Sequence, residues 1–80
     1  MQLKLTAYGI AREIMDGTST DTQVGGVHTI ADLKAHLIST YPAFAELLSF
    51  SLAVGEEYRD DGYVLSDGDE VVIIPPVSGG

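Results

Sequence analysis

The clearest helix in this chain sets the limits of its fold. In "TIADLKAHLISTYP", Ile30, Leu33, Leu37, Ile38 and Tyr41 recur at helical spacing and form one apolar face. Thr29 and Asp32 stand at capping-box spacing, although Asp reaches back less well than the usual Glu. Pro42 disfavours helical geometry at Tyr41, which bounds the helix at Thr29–Tyr41. One main helix covers one face of a sheet, so the remaining segments must supply strands with one face turned toward it.

The rest of the chain reads that way. "MQLKLTAYG" alternates, with Leu3, Leu5 and Ala7 on one side and Gln2, Lys4 and Thr6 on the other. "AREIMDGTSTD" reads as a loop marked by Gly17 and its polar neighbours. "TQVGGVHT" is a weaker strand, broken by Gly25-Gly26 and expected to be short or at an edge. "AFAELL" suits a further short turn. "SFSLAVGEEY" puts Phe50, Leu52 and Val54 on one strand face, with Gly55-Glu56 as a tight turn and Tyr58 starting the return. Asp67-Gly68 in "LSDGDE" supplies a position tolerant of positive φ. "EVVII" is the last strand and stops at Pro75-Pro76, where two backbone donors are missing. Strand, strand, helix, strand, short strand, strand points to a small α+β roll of ubiquitin-like type.

Eighty residues make one small domain, here 45% hydrophobic and without cysteine. That composition removes disulfides, zinc–thiolate sites and a cysteine nucleophile, and it fits a reducing compartment. Lys4, Arg12, Lys34 and Arg59 oppose twelve acids, for a formal charge of −8. Such a surface repels phosphate backbones and anionic membranes, so neither nucleic acid nor membrane is an expected partner. A basic protein partner suits the charge, and solubility alone explains it equally well. No signal peptide or transmembrane segment is expected.

Few side chains point to chemistry. His28 and His36 lack the partners of a metal site and read as surface or helix-flank residues. "DDG" and "DGDE" lack the alternating ligands of a calcium loop, "VGG" lacks the Lys-Ser/Thr of a phosphate loop, and no nucleophile elbow occurs. Arg12-Glu13 either pins the first loop as an ion pair or meets a partner. The strand "VVII" is apolar on both sides, with Val71 and Ile73 facing one way and Val72 and Ile74 the other. With the helix on one face, the second apolar side forms a partner patch with Tyr8 and Tyr58, unless loops cover it. Beyond it the chain ends "PPVSGG". Prolines favour an extended course, and two glycines keep the end thin enough to thread a narrow channel. A frayed end is the plain reading; the other is that the terminal carboxylate is the functional group. Activated as a mixed anhydride with AMP and attacked by a sulfur donor, it becomes a thiocarboxylate, a better sulfur nucleophile. A Gly-Gly end is a weak signal alone and a strong one after a ubiquitin-like pattern.

"AREIMDG", "TIADLKAHLISTYP", "LSDGDEVVIIPP" and "PPVSGG" together resemble the family of sulfur-carrier (small) subunits of molybdopterin synthase. The resemblance covers nearly the whole chain. It implies a β-grasp fold with a mixed sheet, first and last strands side by side in its middle, as residues 1–74, and a flexible tail as residues 75–80. It implies that an adenylating, E1-like enzyme using ATP charges Gly80, that a sulfur donor converts the adenylate to a thiocarboxylate, and that the carrier has no intrinsic cofactor. The tail Pro75, Pro76, Val77, Ser78 and Gly79 would insert into the large synthase subunit, in a heterotetramer. There the thiocarboxylate would give sulfur to cyclic pyranopterin monophosphate and form the dithiolene of molybdopterin. Tyr8, Tyr58 and Ile74 fall at the family's partner-contacting positions, and a cytoplasmic location is implied. One position departs: Gly55 stands where the family commonly has Asn, which keeps the turn but removes an amide. Rival readings are a carrier for thiamine or another thiolation pathway, a ubiquitin-like modifier conjugated to lysines, and a pure interaction domain.

Overall fold

A computed structural model describes residues 1–47 and 50–75 of the chain. Pro76, Val77, Ser78, Gly79 and Gly80, five of the six tail residues singled out above, lie outside the described residues. The elements are β1 (Gln2–Ala7), α1 (Gly9–Met15), β2 (Ser19–Gln23), α2 (Ile30–Thr40), a 3₁₀ turn (Pro42–Glu46), β3 (Ser51–Val54), β4 (Glu57–Tyr58) and β5 (Glu70–Ile74). They form one five-stranded sheet in the order β2-β1-β5-β3-β4. β1 and β5 run parallel at its centre and the other pairs are antiparallel, so the sheet is mixed. First and last strands are neighbours, as expected.

α2 begins at the expected cap. The Asp32 amide donates to Thr29 Oγ1 (3.3 Å), while Asp32 Oδ2 accepts from the amides of Thr29 (3.1 Å) and His28 (2.9 Å). The shorter acid thus completes a capping box. Ile30, Leu33 and Leu37 are fully buried against Leu3, Leu5, Ala7, Leu52, Val54, Val71 and Ile73 of the sheet. Ile38, expected on the same face, is instead at its rim and 38% exposed. Phe44 of the 3₁₀ turn plugs the open end of this layer, its ring 5.1 Å from that of Phe50 and 6.1 Å from that of Tyr41.

Two expectations need correction. "AREIM" is not a loop: it belongs to α1, whose Ala11 and Met15, four apart, are buried in the same core. α1 has no side-chain cap and only seven residues, so tertiary packing holds it rather than local signals. It ends at a left-handed Asp16, and the Gly17 amide returns to the Arg12 carbonyl (3.1 Å). Arg12 and Glu13 are therefore exposed helix neighbours that face apart, and among the described residues they form no ion pair. The second strand is Ser19–Gln23, ahead of the Gly-Gly segment expected to hold it. It contains no aliphatic residue; its inward positions Thr20 and Thr22 pair with Leu5 and Leu3, and β-branched threonines suit such a half-covered edge. The expected edge position holds.

The turns follow their sequence signals. Gly55 and Glu56 both have positive φ (64° and 67°), the conformation of a two-residue hairpin turn that matches strand twist. Gly68 has φ 88°, and the acidic turn is tied to β1. The Gln2 amide donates to Asp67 Oδ1 (2.6 Å), and the Gly68 amide to the Gln2 carbonyl (2.7 Å). That tether delivers β5 into register beside β1. No helix among the described residues is long and apolar enough to cross a membrane.

Candidate functional site

The sheet has a second face, away from the helices, and strand register sets its composition. Lys4 lies between Asp21 and Glu70; one step along, Ser19, Thr6, Val72, Ala53 and Tyr58 form a row across all five strands. Two residues further on β5, Ile74 lies opposite Ser51, and Tyr8 continues the alternation of β1 beside it. The face is therefore graded. At one end Lys4 Nζ stands 3.9 Å from Glu70 Oε2, which also accepts from Thr6 Oγ1 (3.3 Å). Toward the other end, where β5 leaves the sheet, the face carries Ile74 and Tyr8 beside the exposed Ser51.

Tyr8 is 55% and Tyr58 69% exposed, while Val72 and Ile74 are half-buried. Tyr8 and Ile74 each stand one residue beyond the last β1–β5 pair, Ala7–Ile73, and Tyr58 lies level with Val72 on the far side of β3. Pro75, half-buried, follows Ile74 directly and lies against Gly9 at the start of α1. Sequence reasoning named Val72 but missed Ala53, which register sets between Val72 and Tyr58. It also missed Gly9. Ile10/Ile14 and Ala11/Met15 carry a four-residue spacing that a search for short helices could have found.

The charges are distributed with similar economy. Lys34 Nζ meets Asp61 Oδ1 at 2.8 Å, tying α2 to the segment before β5. Arg59 is held three ways: Nε donates to the Val54 carbonyl (3.0 Å), Nη2 meets Glu57 Oε2 (3.1 Å), and the guanidinium lies 4.5 Å over the Tyr63 ring. This braces the β3–β4 hairpin that carries Tyr58. Arg12 is exposed and forms no ion pair among the described residues. His28 is exposed, and His36 Nε2 lies 3.4 Å from Thr40 Oγ1. Among the described residues, no group of three or more His, Asp or Glu could hold a metal ion. The Asp32 carboxyl is held below its ordinary pKa, chiefly by the His28 and then the Thr29 amide. This is a helix cap and not a reactive acid.

What the arrangement offers is an exposed, partly apolar surface at the end of the central strand, continuous with the root of the chain's last segment. The chain is 38% identical over the whole of both sequences to the molybdopterin synthase sulfur carrier subunit of Chlamydomonas reinhardtii. Among solved structures, it superposes on a putative molybdopterin converting factor subunit 1 from Pyrococcus furiosus with TM-score 0.84 at 20% identity, covering 96% of this chain and 99% of that one. A chain of the complex of subunits 1 and 2 of the molybdopterin-converting factor from Helicobacter pylori matches with TM-score 0.67 at 22% identity, covering all of both chains. These likenesses establish the ubiquitin-like β-grasp fold. The family match itself runs from residue 6 to residue 80, through the sheet face, the exit of β5 and the final glycines, and the chain belongs to the ThiS family.

Proposed function

We propose that this chain is the sulfur-carrier subunit of a molybdopterin synthase and acts through the carboxyl group of Gly80. Residues 1–74 form the recognition domain and residues 75–80 the reacting tail. An E1-like enzyme joins the Gly80 carboxylate to the α-phosphorus of ATP and releases pyrophosphate, leaving an acyl adenylate. A donor of sulfide-level sulfur then attacks the acyl carbon, and AMP leaves. Two such thiocarboxylates, entering the large synthase subunit, each give one sulfur to cyclic pyranopterin monophosphate, building the dithiolene, and water takes each acyl group to restore the Gly80 carboxylate. The domain itself contributes no cofactor; ATP belongs to the activating enzyme, and the cycle runs in the cytoplasm.

The observation that carries this reading is the end-to-end match to the Chlamydomonas carrier, which aligns 100% of both chains. The geometry supports it. A carrier must present its last residues to two partners in turn, and the exposure of Tyr8 and Tyr58 on the face that also carries Val72 and Ile74 of β5 supports a partner surface there. The Helicobacter complex of subunits 1 and 2, whose small partner has this fold, supports a large-subunit partner.

The test is reconstitution with a large subunit, using chemically thiocarboxylated protein as the positive control. Deleting Gly80 moves the carboxyl back by ~3.5 Å, and appending one residue buries it in a peptide bond. Both variants should keep the wild-type fold and fail to support pterin sulfuration. Coexpression with an activating enzyme should add about 16 Da to the wild type, as one oxygen gives way to sulfur. If the extended, uncleaved variant still makes molybdopterin, the terminal-carboxyl mechanism is wrong.

A further inference from the structure

We infer that Arg59 is a positioning residue for Tyr58: its amide and its guanidinium hold the two hydrogen-bonded rungs that flank the tyrosine, and so set how Tyr58 is presented on the outer face. The inference rests on the reading of that face as a partner surface and deepens it.

β4 has two residues and lies at the edge of the sheet, so its grip on β3 is short. The Arg59 amide donates to the Leu52 carbonyl (3.0 Å), which makes Leu52 and Arg59 a hydrogen-bonded pair. In an antiparallel ladder such pairs alternate with pairs that exchange no backbone bonds. Val54–Glu57 is therefore the next bonded rung, and Ala53–Tyr58, between the two, is an unbonded one. The amide and carbonyl of Tyr58 face the open edge. Tyr58 is tied to β3 by its neighbours at 57 and 59, not by ladder bonds of its own.

Arg59 reaches both rungs. Its amide closes the one with Leu52, and its side chain folds back to the one between Val54 and Glu57. There Nε donates to the Val54 carbonyl (3.0 Å) and Nη2 meets Glu57 Oε2 (3.1 Å). The Glu57 carboxylate is exposed, so the ion pair adds little; the charge-assisted bond from Nε is the stronger tie. The guanidinium also lies 4.5 Å over the Tyr63 ring. At the first turn of α2, the Ile30 amide donates to the Tyr63 carbonyl and the Ala31 amide to the Asp61 carbonyl, both at 3.0 Å. The clasp is thus anchored to the helix that the core holds, and not to the hairpin alone. Tyr58 is 69% exposed and meets the partner; Arg59, half-buried, acts through it.

The experiment is a double-mutant cycle of Arg59→Met and Tyr58→Ala, with Arg59→Lys as a third variant, reading the Kd of each full chain for the large synthase subunit. Amide hydrogen exchange on the free chains reports the clasp. In the wild type, the Glu57 and Arg59 amides should exchange slowly and the Tyr58 amide fast. Arg59→Met should speed exchange at Glu57 by about tenfold. With Tyr58 in place it should raise Kd by about fivefold. In the Tyr58→Ala background the same change should raise Kd by less than about twofold, because no ring is left to position. Arg59→Lys should follow Arg59→Met in both measurements, since it keeps the charge but loses the planar fork and its Nε donor. A role in stability alone would lower the thermal midpoint and leave the Kd of the folded chain unchanged. That result, an equal rise with and without Tyr58, unchanged exchange at Glu57, or a lysine variant that binds like wild type would overturn the role of Arg59 while leaving the carrier function standing. A wild type that does not bind the large subunit would overturn the carrier function, and the role of Arg59 with it.

Discussion

The two faces of the sheet use alternate residues of the same strands for opposite purposes. On β5, Val71 and Ile73 are fully buried beneath α2, whereas Val72 and Ile74, one residue over, are half-buried on the face that no helix among the described residues covers. On β1, Leu3, Leu5 and Ala7 enter the core, while Lys4 and Thr6 join a polar network with Glu70. The inner face is apolar on its central strands, with only the threonines of edge strand β2 departing from this. The outer face instead changes character along the strands, from the Lys4–Glu70 ion pair to the exposed Tyr8. The core is therefore paid for on one side only, and substitutions on the other side should alter recognition more than folding.

That contrast can be broken most directly from within. Leu33→Ala removes a fully buried side chain of α2 and should cost on the order of 2–5 kcal/mol in denaturant unfolding. An unchanged midpoint and slope would mean that the helix layer is not the core. Across the sheet, Ile74→Asp should weaken binding to the large subunit by roughly 1–3 kcal/mol, with unfolding changed far less. Equal affinity for variant and wild type in a titration would remove the partner patch from this face.

The smaller effects sharpen the boundary between the two roles. Thr29→Ala strips the cap of α2 and should cost about 1 kcal/mol of stability, with partner affinity unchanged. Its reciprocal partner gives a pH signature. The folded Asp32 carboxyl titrates below its ordinary value, so its contribution is complete above the unfolded pKa near 4 and fades as pH falls through the lower folded value. Asp32→Asn should flatten the stability curve in that acid window alone, as measured by midpoints across pH. Least affected should be Lys4→Ala at the charged end of the outer face, within about 0.5 kcal/mol of wild type in stability. Should it weaken partner binding more than Ile74→Asp, the grading of that face runs the other way.

How much of this was legible depends on where the determining forces lie. α2 announced itself because its cap, its apolar spacing and its proline stop are all local. α1 did not: it has no side-chain cap and seven residues, and exists because Ala11 and Met15 find the core. β2 was hidden for a related reason, since hydrogen bonding to β1 selects an all-polar "STDTQ" over the valines beyond it. The double-sided "VVII" strand and the tyrosines could be read as a surface from the sequence. Their arrangement could not, because Val72, Ala53 and Tyr58 become neighbours only through register. Likewise Gly9 looked like the end of a strand, and its contact with Pro75 requires the first and last strands to lie side by side.

The central place of β5 has a consequence for synthesis. The strand that joins the two halves of the sheet is made after all the others, so the pairings that complete the core span almost the entire sequence. Such long-range closure is slow compared with helix formation, and little of the sheet can settle before Glu70–Ile74 arrives. A chain interrupted within β5 would lose the partner of both β1 and β3 at once, leaving two hairpins without a shared core. A surface built at the end of β5 therefore exists only once the whole sheet has closed.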